Sequence, residues 1–469
     1  MSRTRLLLAI CTAGALSLPA CSGRRPLLSA SAPSVSAAKR AEQPLESHGP
    51  KSDPSLRPGA VEAAAALTLA AELSLGEWRP IGPWNFAGKA FDVAVSPADP
   101  NTVYAAYGFA GIWKTADGGK TWLQLNDPTD LHQFPCLTVH PRFPNVLAAC
   151  LGQPDFPVIH KGLLFSADGG RHWDFTAPAD GLSNSFYRAV FRPDDPNTLH
   201  AASDKGVYLT RDRGAHWDRV LTFPGDGPDS WDEMPDLVMK PDDPSVLIAA
   251  QKSLGVYRTA DGGATWARVD QTMDTTSITS VLAWSPSDPA TVYCQRNNRD
   301  GTDLITYVST NAGVTWTRVN QIQLRTQSRY DMSLAVDPGD PSRVLIGNAD
   351  FGVSVDGLRS IHSPTIPAHV DHLRIVFDPS NSDVVYSAND GGIWRSDDRG
   401  GTWSRFDSGV STNLSYGFDI DTTTGTIYLS AGDYIPTLQY DAVNGWNYSK
   451  VGGEWATFYV DPNDPATVW

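Results

Sequence analysis

The stretch Thr115-Ala-Asp117-Gly-Gly119-Lys-Thr121-Trp122 decides the fold, because its pattern returns along the chain. Ser or Thr stands first, Asp third, Gly fifth and Trp eighth, and we call this unit the octet. The other copies, one with Asn for Asp and the last one worn, are Ser166–Trp173, Thr210–Trp217, Thr259–Trp266, Ser309–Trp316, Ser396–Trp403 and Ser354–Gly357. Self-similarity at a period of roughly 42 to 51 residues predicts a repeat architecture.

Each octet has the chemistry of a hairpin turn. It joins two alternating apolar runs, its carboxylate can accept hydrogen bonds from nearby N–H and hydroxyl groups, and its Gly permits a positive φ. The Trp opens the outgoing strand, where it can bury its ring against the next unit while its N–H finds a partner. We therefore expect structural roles for Asp117, Asp168, Asp212, Asp261, Asn311 and Asp398.

The octet resembles the Asp-box, or BNR repeat, of sialidases, sortilin-type receptors, xyloglucan hydrolases and a photosystem II assembly factor. Secreted glycosyl-hydrolase-like BNR-repeat proteins carry it too. The resemblance implies a β-propeller, and it implies little about function, because these families share the turn and not the chemistry.

A second phrase, in which an apolar strand runs into Pro and then Asp-Pro, starts each unit. Clear copies are Val93–Pro100, Val190–Pro196, Val238–Pro244, Ala283–Pro289, Ala335–Pro341 and Tyr459–Pro465, and looser ones lie at Pro141, at Pro379 and near Asp421. Pro fixes φ and prevents the strand from continuing, so each phrase predicts a turn.

The two phrases together give four strands in about 45 residues, which is one propeller blade. The sequence predicts an all-β, multi-bladed β-propeller of four-stranded antiparallel blades, with about eight complete blades and a truncated ninth. We expect a fragment of a longer protein, either of a ten-bladed ring or of two tandem seven-bladed rings. Trp78–Ile81 is a candidate outer strand from the N-terminal side.

The N-terminal region reads as an export signal. Arg3 and Arg5 precede an apolar run ending at Leu18, and Cys21 follows in the manner of a bacterial lipobox. We expect a lipoprotein-type signal at 1–20, a Ser/Ala/Pro-rich tether at 21–60, a short helical or linker segment at 61–76, and the propeller at 77–469. Cys21 is the predicted lipidation site, and an ordinary signal peptide is the alternative. The protein is then exported, either to the bacterial cell envelope or as a secreted protein, and touches the membrane only through this anchor.

Composition excludes some functions. Acidic residues number 52 against 37 basic ones, for a net charge of −15, which argues against nucleic-acid binding. No EF-hand loop and no zinc spacing is visible, so we expect no metal and no cofactor. Cys136 and Cys150 lie nearly symmetrically about a turn, which would place them opposite one another in an exported protein; a disulfide and two thiols both remain open. Cys294 would be a free buried thiol.

We expect the functional site at one mouth of the central channel. The loops that enter the inner strands meet there with the loops between the second and third strands of each blade. The polar residues at those positions are Lys89, His132, Arg188, Glu233, Arg329, Asp331, Asp350, His369, Asp371, His372, Asn389, Asp390 and Glu454. The densest group is His369–His372 with Asn389–Asp390, which suits a metal ion, an acid–base pair, or simply strand capping.

These residues leave several functions open. Our first interpretation is a binding or scaffold module for a carbohydrate or a protein, with His369, Asp371, His372, Asn389, Asp390, Arg188, Arg329 and Glu233 as ligand-binding candidates. The alternative is a xyloglucanase-like glycoside hydrolase that uses two carboxylates from among Asp331, Asp350, Asp371 and Asp390. A sialidase is disfavoured, because its Phe/Tyr-Arg-Ile-Pro motif is absent. An assembly factor is disfavoured too, because it would need a basic patch.

Overall fold

The computed structural model describes most of the chain from residue 88 onward. The described residues are 88–108, 110–125, 133–152, 162–183, 185–223, 236–251, 255–273, 280–297, 304–322, 331–365, 368–412, 415–431, 438–448, 457–461, 464, 467 and 468. The signal, the tether, the segment 61–76 and Trp78–Ile81 lie outside them. All regular structure within these ranges is β-strand, and they contain no helix of the length and apolarity that crossing a membrane requires.

The first four sheets each contain four antiparallel strands in chain order. Blade 1 is β1 (Ala90–Val95), β2 (Val103–Tyr107), β3 (Gly111–Thr115) and β4 (Leu123–Gln124). Blade 2 is β5 (Cys136–Val139), β6 (Leu147–Leu151), β7 (Gly162–Ser166) and β8 (Asp174–Thr176). Blade 3 is β9 (Phe186–Phe191), β10 (Leu199–Ser203), β11 (Gly206–Thr210) and β12 (Asp218–Thr222). Blade 4 is β13 (Asp236–Lys240), β14 (Asp243–Gln251), β15 (Gly255–Thr259) and β16 (Ala267–Arg268).

Four more sheets follow the same plan, although blade 6 has three named strands. Blade 5 is β17 (Ser280–Trp284), β18 (Val292–Asn297), β19 (Leu304–Ser309) and β20 (Thr317–Ile322). Blade 6 is β21 (Ser333–Asp337), β22 (Asp340–Gly347) and β23 (Phe351–Ser354), and blade 7 is β24 (His372–Asp378), β25 (Asn381–Asn389), β26 (Gly392–Ser396) and β27 (Ser404–Arg405). The eighth sheet is β28 (Ser415–Asp421), β29 (Thr426–Ala431), β30 (Leu438–Asp441) and β31 (Gly445–Tyr448).

Seven of these sheets close into a ring. The first strands of consecutive blades pack against one another from β1 to β24, and β24 then packs against β1. One apolar cluster spans this closure, with Val93 and Tyr107 from blade 1 against Tyr386, Ile393 and Phe406 from blade 7. Among the described residues, each blade is built from one continuous piece of chain. The closure agrees with the tandem seven-bladed alternative, and the eighth sheet has a small apolar cluster of its own.

The octets are hydrogen-bonded turns. In the first one, Thr121 donates from its backbone N–H and its hydroxyl to Asp117 at 2.9 and 2.7 Å, and Gly119 N–H donates to the Thr115 hydroxyl at 2.9 Å. These donors, led by Thr121, hold the pKa of Asp117 at about 2. The worn copy forms the same turn around Asp356. The octet carboxylates are thus occupied inside their own turns.

The octets also join neighbouring blades, in the direction opposite to the one expected. Each packs on the preceding blade: Trp403 of blade 7 meets Phe351 of blade 6 edge-on at 4.9 Å. Gly119 continues this pattern around the ring, since a Cβ there would lie 2.6 Å from the Phe406 ring of blade 7. The indole N–H groups of Trp217 and Trp403 have the expected hydrogen-bond partner. Within the part of the chain that the structure describes, the buried indole N–H groups of four others have none: Trp122, Trp173, Trp266 and Trp316.

In blade 2, Cys136 and Cys150 are directly paired across β5 and β6 and are joined by a disulfide. Cys294 is a free thiol buried in blade 5, and its burial raises the pKa of the thiol to about 12. The disulfide therefore links adjacent strands of a single blade and leaves the ring closure to non-covalent packing.

Candidate functional site

Three carboxyl groups and one lysine meet between blades 6, 7 and 1. Asp331 precedes β21, Asp371 precedes β24, Asp390 follows β25, and Lys89 precedes β1. We call the three aspartates the acid cluster. The ring brings them together because loops that enter neighbouring inner strands open on the same face. The sequence interpretation named all four residues without showing which of them converge.

Asp331 is fully buried, and no N–H or O–H donor among the described residues reaches either of its carboxylate oxygens. Burial, followed by the charges of Asp371 and Asp390, raises the pKa of Asp331 to about 9, whereas Lys89 acts in the opposite direction. A hydrogen bond to the Asp371 carboxyl also favours the protonated form of Asp331. Asp331 therefore holds its proton to a higher pH than an ordinary aspartate does.

Asp371 is held in an unusual backbone conformation. Its φ of 62° lies in the left-handed region, which costs a non-glycine residue free energy and persists where the surroundings impose it. The imidazole ring of His369, two residues earlier, lies against Gly391, where a Cβ would be 2.4 Å from the ring carbon Cγ. The segments 369–371 and 389–391 are therefore packed together, and this contact requires glycine at position 391.

Asp390 is paired with Lys89 across the closure between blades 7 and 1. The Lys89 ammonium nitrogen lies 2.9 Å from Oδ1 and 3.2 Å from Oδ2 of Asp390, and both side chains are largely buried. Ion pairing with a cation favours the ionised form of a carboxyl group. The acid cluster thus contains a protonated carboxyl group beside a carboxylate that has its own counter-ion.

His372 and Asn389 are both buried in blade 7. Nδ1 of His372 lies 2.7 Å from the Ser387 hydroxyl, and its ring packs against Phe351 of blade 6. Burial first, and then the charge of His369, lowers the pKa of His372 to about 3, so the ring is neutral. Asn389 is fully buried and its side-chain oxygen accepts the Gly391 N–H at 2.9 Å. Of the open interpretations of this pair, the geometry favours strand capping.

Asp350 lies in the loop between β22 and β23, beside blade 7. Its carbonyl accepts the Asn348 N–H at 2.9 Å, and the Asn348 carbonyl accepts the His372 N–H at 2.9 Å. Its side chain is half-buried. The other mouth candidates, His132, Glu233, Arg329 and Glu454, lie outside the described residues.

Arg188 belongs to a different group, a ring of ions inside the channel. Its guanidinium donates to Asp236 at 3.0 Å and lies 3.7 Å from Asp92, which in turn lies 3.4 Å from Arg374. Residues from blades 3, 4, 1 and 7 can meet in this way only near the axis. Asp92 also accepts the Leu137 N–H of blade 2. Arg188 is thus tied into the channel wall by two carboxylates.

The sequence interpretation missed the other three members of this ion ring, although a signal for them exists. Asp92, Arg188, Asp236 and Arg374 stand five residues before Pro97, Pro193, Pro241 and Pro379, respectively. Equal offsets from the turn proline place side chains at one level of the channel. Two positive and two negative residues at one level then predict ion pairs.

Among the described residues, no group of three or more His, Cys, Asp or Glu side chains is arranged to hold a metal ion. A buried carboxyl group with a raised pKa, such as that of Asp331, is chemically suited to act as a general acid.

No protein-family model matches the chain. It is 22% identical over 210 residues to the xyloglucanase Xgh74A of Acetivibrio thermocellus. This alignment covers 38% of this chain and 25% of that protein. It is 25% identical over 319 residues to a probable oligoxyloglucan-reducing end-specific xyloglucanase of Neosartorya fischeri, which covers 54% and 37%, respectively. The chain therefore spans between a quarter and about two fifths of the length of these curated relatives.

Solved structures show the same fold. The GH74 xyloglucanase from Xanthomonas campestris superposes with a TM-score of 0.64 at 15% identity, over 82% of this chain and 71% of that one. The GH74 enzyme of Niastella koreensis gives a TM-score of 0.60 at 16% identity, over 81% and 69%. The chain is a β-propeller, similar in sequence to xyloglucanases and in fold to GH74 enzymes of known structure.

Proposed function

We propose that this chain is part of an exported glycoside hydrolase that cleaves a polysaccharide of the xyloglucan type. Two independent lines support the proposal. The curated relatives are xyloglucanases, and the acid cluster holds a carboxyl group that stays protonated at neutral pH. The second observation carries the proposal, because cleavage of a glycosidic bond needs an acid that is still protonated at the working pH.

The Asp331–Asp371 pair is the proton donor in this proposal. It delivers its proton to the glycosidic oxygen as the bond between that oxygen and the anomeric carbon breaks. The Asp371 carboxyl group raises the pKa of Asp331, so the proton of one depends on the other, whereas the two carboxyl groups of a retaining or an inverting pair stand ~5–5.5 Å or ~6.5–9.5 Å apart and act separately. Asp331 and Asp371 therefore act together as one acid, and a further carboxylate must serve as base or nucleophile. Asp390 and Asp350 are the candidates.

The cellular setting in this proposal rests on the N-terminal sequence. The charged and apolar signal before Cys21 exports the protein, and a lipid on Cys21 anchors it to the envelope. A large extracellular polysaccharide is accessible from that location. Radiolabelled fatty acid that enters the wild type and not a Cys21→Ser variant would support the anchor, and equal labelling would contradict it.

The decisive test measures reducing-sugar release from xyloglucan, mixed-linkage glucan, xylan and cellulose by the protein in its longest natural form. Asp331→Asn and Asp371→Asn should each lower release from the active substrate by at least about 100-fold, since general acid catalysis contributes about 10²–10⁴-fold. Asp117→Asn is the matched control, because it makes the same change in an octet where Asn311 already occupies the equivalent position.

Binding without sugar release would instead favour the carbohydrate-binding interpretation. Release that both acid-cluster variants retain in full would show that the acid lies elsewhere. If the protein neither binds nor cleaves any of the polysaccharides, a protein ligand becomes the next hypothesis.

A further inference from the structure

Lys89 is the cation that the described residues place against the acid cluster. Its ammonium group contacts both oxygens of Asp390, and it opposes the raised pKa of Asp331. The ammonium also lies 5.6 Å from the centre of the Phe91 ring. The xyloglucanase similarity does not assign this residue a role, and the octet and Asp-Pro phrases do not involve it.

The backbone around Lys89 is fixed from both sides of the ring closure. Its carbonyl accepts the Gly108 N–H of blade 1 at 3.0 Å, and the preceding Gly88 N–H donates to the Thr412 hydroxyl beyond blade 7 at 3.0 Å. A lysine side chain loses conformational freedom when it is held in one place. Here the backbone anchors and the Asp390 contact hold its charge at one point of the site.

The described residues place the following ionisable groups around this point. Asp331 and Asp371 come from blades 6 and 7, Asp390 from blade 7, Lys89 from blade 1, and His369 from the loop that enters blade 7. Three carboxylates crowded in a low-dielectric site repel one another strongly. A proton on the Asp331–Asp371 pair removes one negative charge, and the ammonium group balances another. The proton and the cation therefore act on different carboxyl groups.

We propose that Lys89 is a positioning residue that keeps Asp390 ionised beside the protonated Asp331–Asp371 pair, and so makes Asp390 the base of the reaction. This inference rests on the proposed function. The pair gives its proton to the departing glycosidic oxygen, while Asp390 takes a proton from the water whose oxygen bonds to the anomeric carbon. The sum is hydrolysis of one glycosidic bond, and proton exchange with solvent restores both groups.

The test compares Lys89→Met, which removes the charge and keeps an unbranched side chain, with Lys89→Arg, which keeps the charge. The first readout is independent of activity: carboxyl resonances of ¹³C-labelled aspartate are titrated from pH 4 to pH 10 and assigned with Asp331→Asn, Asp371→Asn and Asp390→Asn. In the wild type, Asp390 should be ionised at pH 7 while Asp331 is protonated. In Lys89→Met the cluster should bind one more proton at pH 7, and in Lys89→Arg it should not.

The second readout is the pH profile of sugar release. Lys89→Met should move the acidic limb of the profile upward past pH 7 and thereby lower release at pH 7 by about 10-fold, which corresponds to about 1.4 kcal/mol. Lys89→Arg should keep the limb in place.

Each possible result decides the proposal. A wild type with Asp390 protonated at pH 7 overturns it, even if Lys89→Met does not fold. An unchanged titration and pH profile in a folded Lys89→Met variant also overturns it. If no polysaccharide is cleaved but Lys89→Met gains the proton, the charge assignment stands and the base role falls with the proposed function.

Discussion

The hydroxyl of Tyr107 in blade 1 donates a 2.9 Å hydrogen bond to the carboxylate of Asp407, which follows blade 7 and lies 300 residues further along the chain. Both side chains are fully buried. Asp407 also accepts the Ile393 N–H at 2.8 Å and the Arg405 guanidinium at 2.7 Å. This contact joins the first and last blades of the ring, so ring closure depends on a polar group as well as on apolar packing.

Tyr107→Phe should weaken that closure. A hydrogen bond to a charged group contributes about 1.5–3 kcal/mol, so we expect the free energy of unfolding in urea to fall by about 2 kcal/mol. Asp407 keeps its other donors, which limits the loss. Tyr440→Phe, at a half-buried tyrosine of the eighth sheet, is the control and should change the stability far less. Equal stability of wild type and Tyr107→Phe would show that apolar packing alone closes the ring.

Reduction of the disulfide between Cys136 and Cys150 should destabilise the protein. The bond closes a loop with a sequence separation of 14, for which the loss of chain entropy in the unfolded state is worth about 3 kcal/mol. Thermal unfolding with and without dithiothreitol measures this contribution. The double variant Cys136→Ser/Cys150→Ser should have a low melting temperature in both conditions. A buried Cys294 predicts that its replacement by Ala leaves the sensitivity to reductant intact.

The octet carboxylate should be replaceable by an amide but not by a methyl group. Asp117 accepts hydrogen bonds from the N–H and the hydroxyl of Thr121, and Asn311 accepts the equivalent N–H in its own octet. Asp117→Ala should lower the free energy of unfolding by on the order of 1 kcal/mol, and Asp117→Asn by much less. Urea denaturation of the two variants compares them. Equal losses would mean that the negative charge matters and the turn geometry does not.

The sequence predicts those features of the fold that depend on residues close together in the chain. Octets and Asp-Pro phrases are turns whose donors and acceptors lie within a few residues, as Thr115 and Asp117 show, and the blades follow from their order. Ring closure after seven blades rests on contacts such as Tyr107 with Asp407, which no local pattern encodes. For the same reason the Trp side chains pack on the preceding blade, although we expected the next one.

The candidate site was predictable as a set of residues and not as a geometry. Asp331, Asp371, Asp390 and Lys89 could be named from their places before and after inner strands. Their convergence depends on blades 6, 7 and 1 being neighbours, which follows only from closure. For His372, neither the environment nor the charge could be predicted. An alternating strand pattern does not reveal that its ring is buried against Phe351 and neutral.

The proton on Asp331 should appear in the pH dependence of stability. The pKa of Asp331 is raised from 3.8 to about 9 in the folded protein, mainly by burial. Between about pH 4 and pH 9 the folded state therefore keeps a proton that the unfolded chain has released. Stability falls with rising pH wherever the folded state binds more protons, by up to about 1.4 kcal/mol for each pH unit and each proton.

Asp331→Asn removes this titration and replaces the protonated acid with a neutral amide that can still donate to Asp371. We expect the variant to lose stability less steeply between pH 5 and pH 9 and to exceed the wild type toward alkaline pH, in urea melts at each pH. Asp117→Asn is the control, because the pKa of Asp117 is about 2 and its titration lies below this window. If the Asp331→Asn and wild-type curves run parallel from pH 5 to pH 9, Asp331 carries no proton in that range, and the Asp331–Asp371 pair is not the acid that the proposed hydrolysis needs.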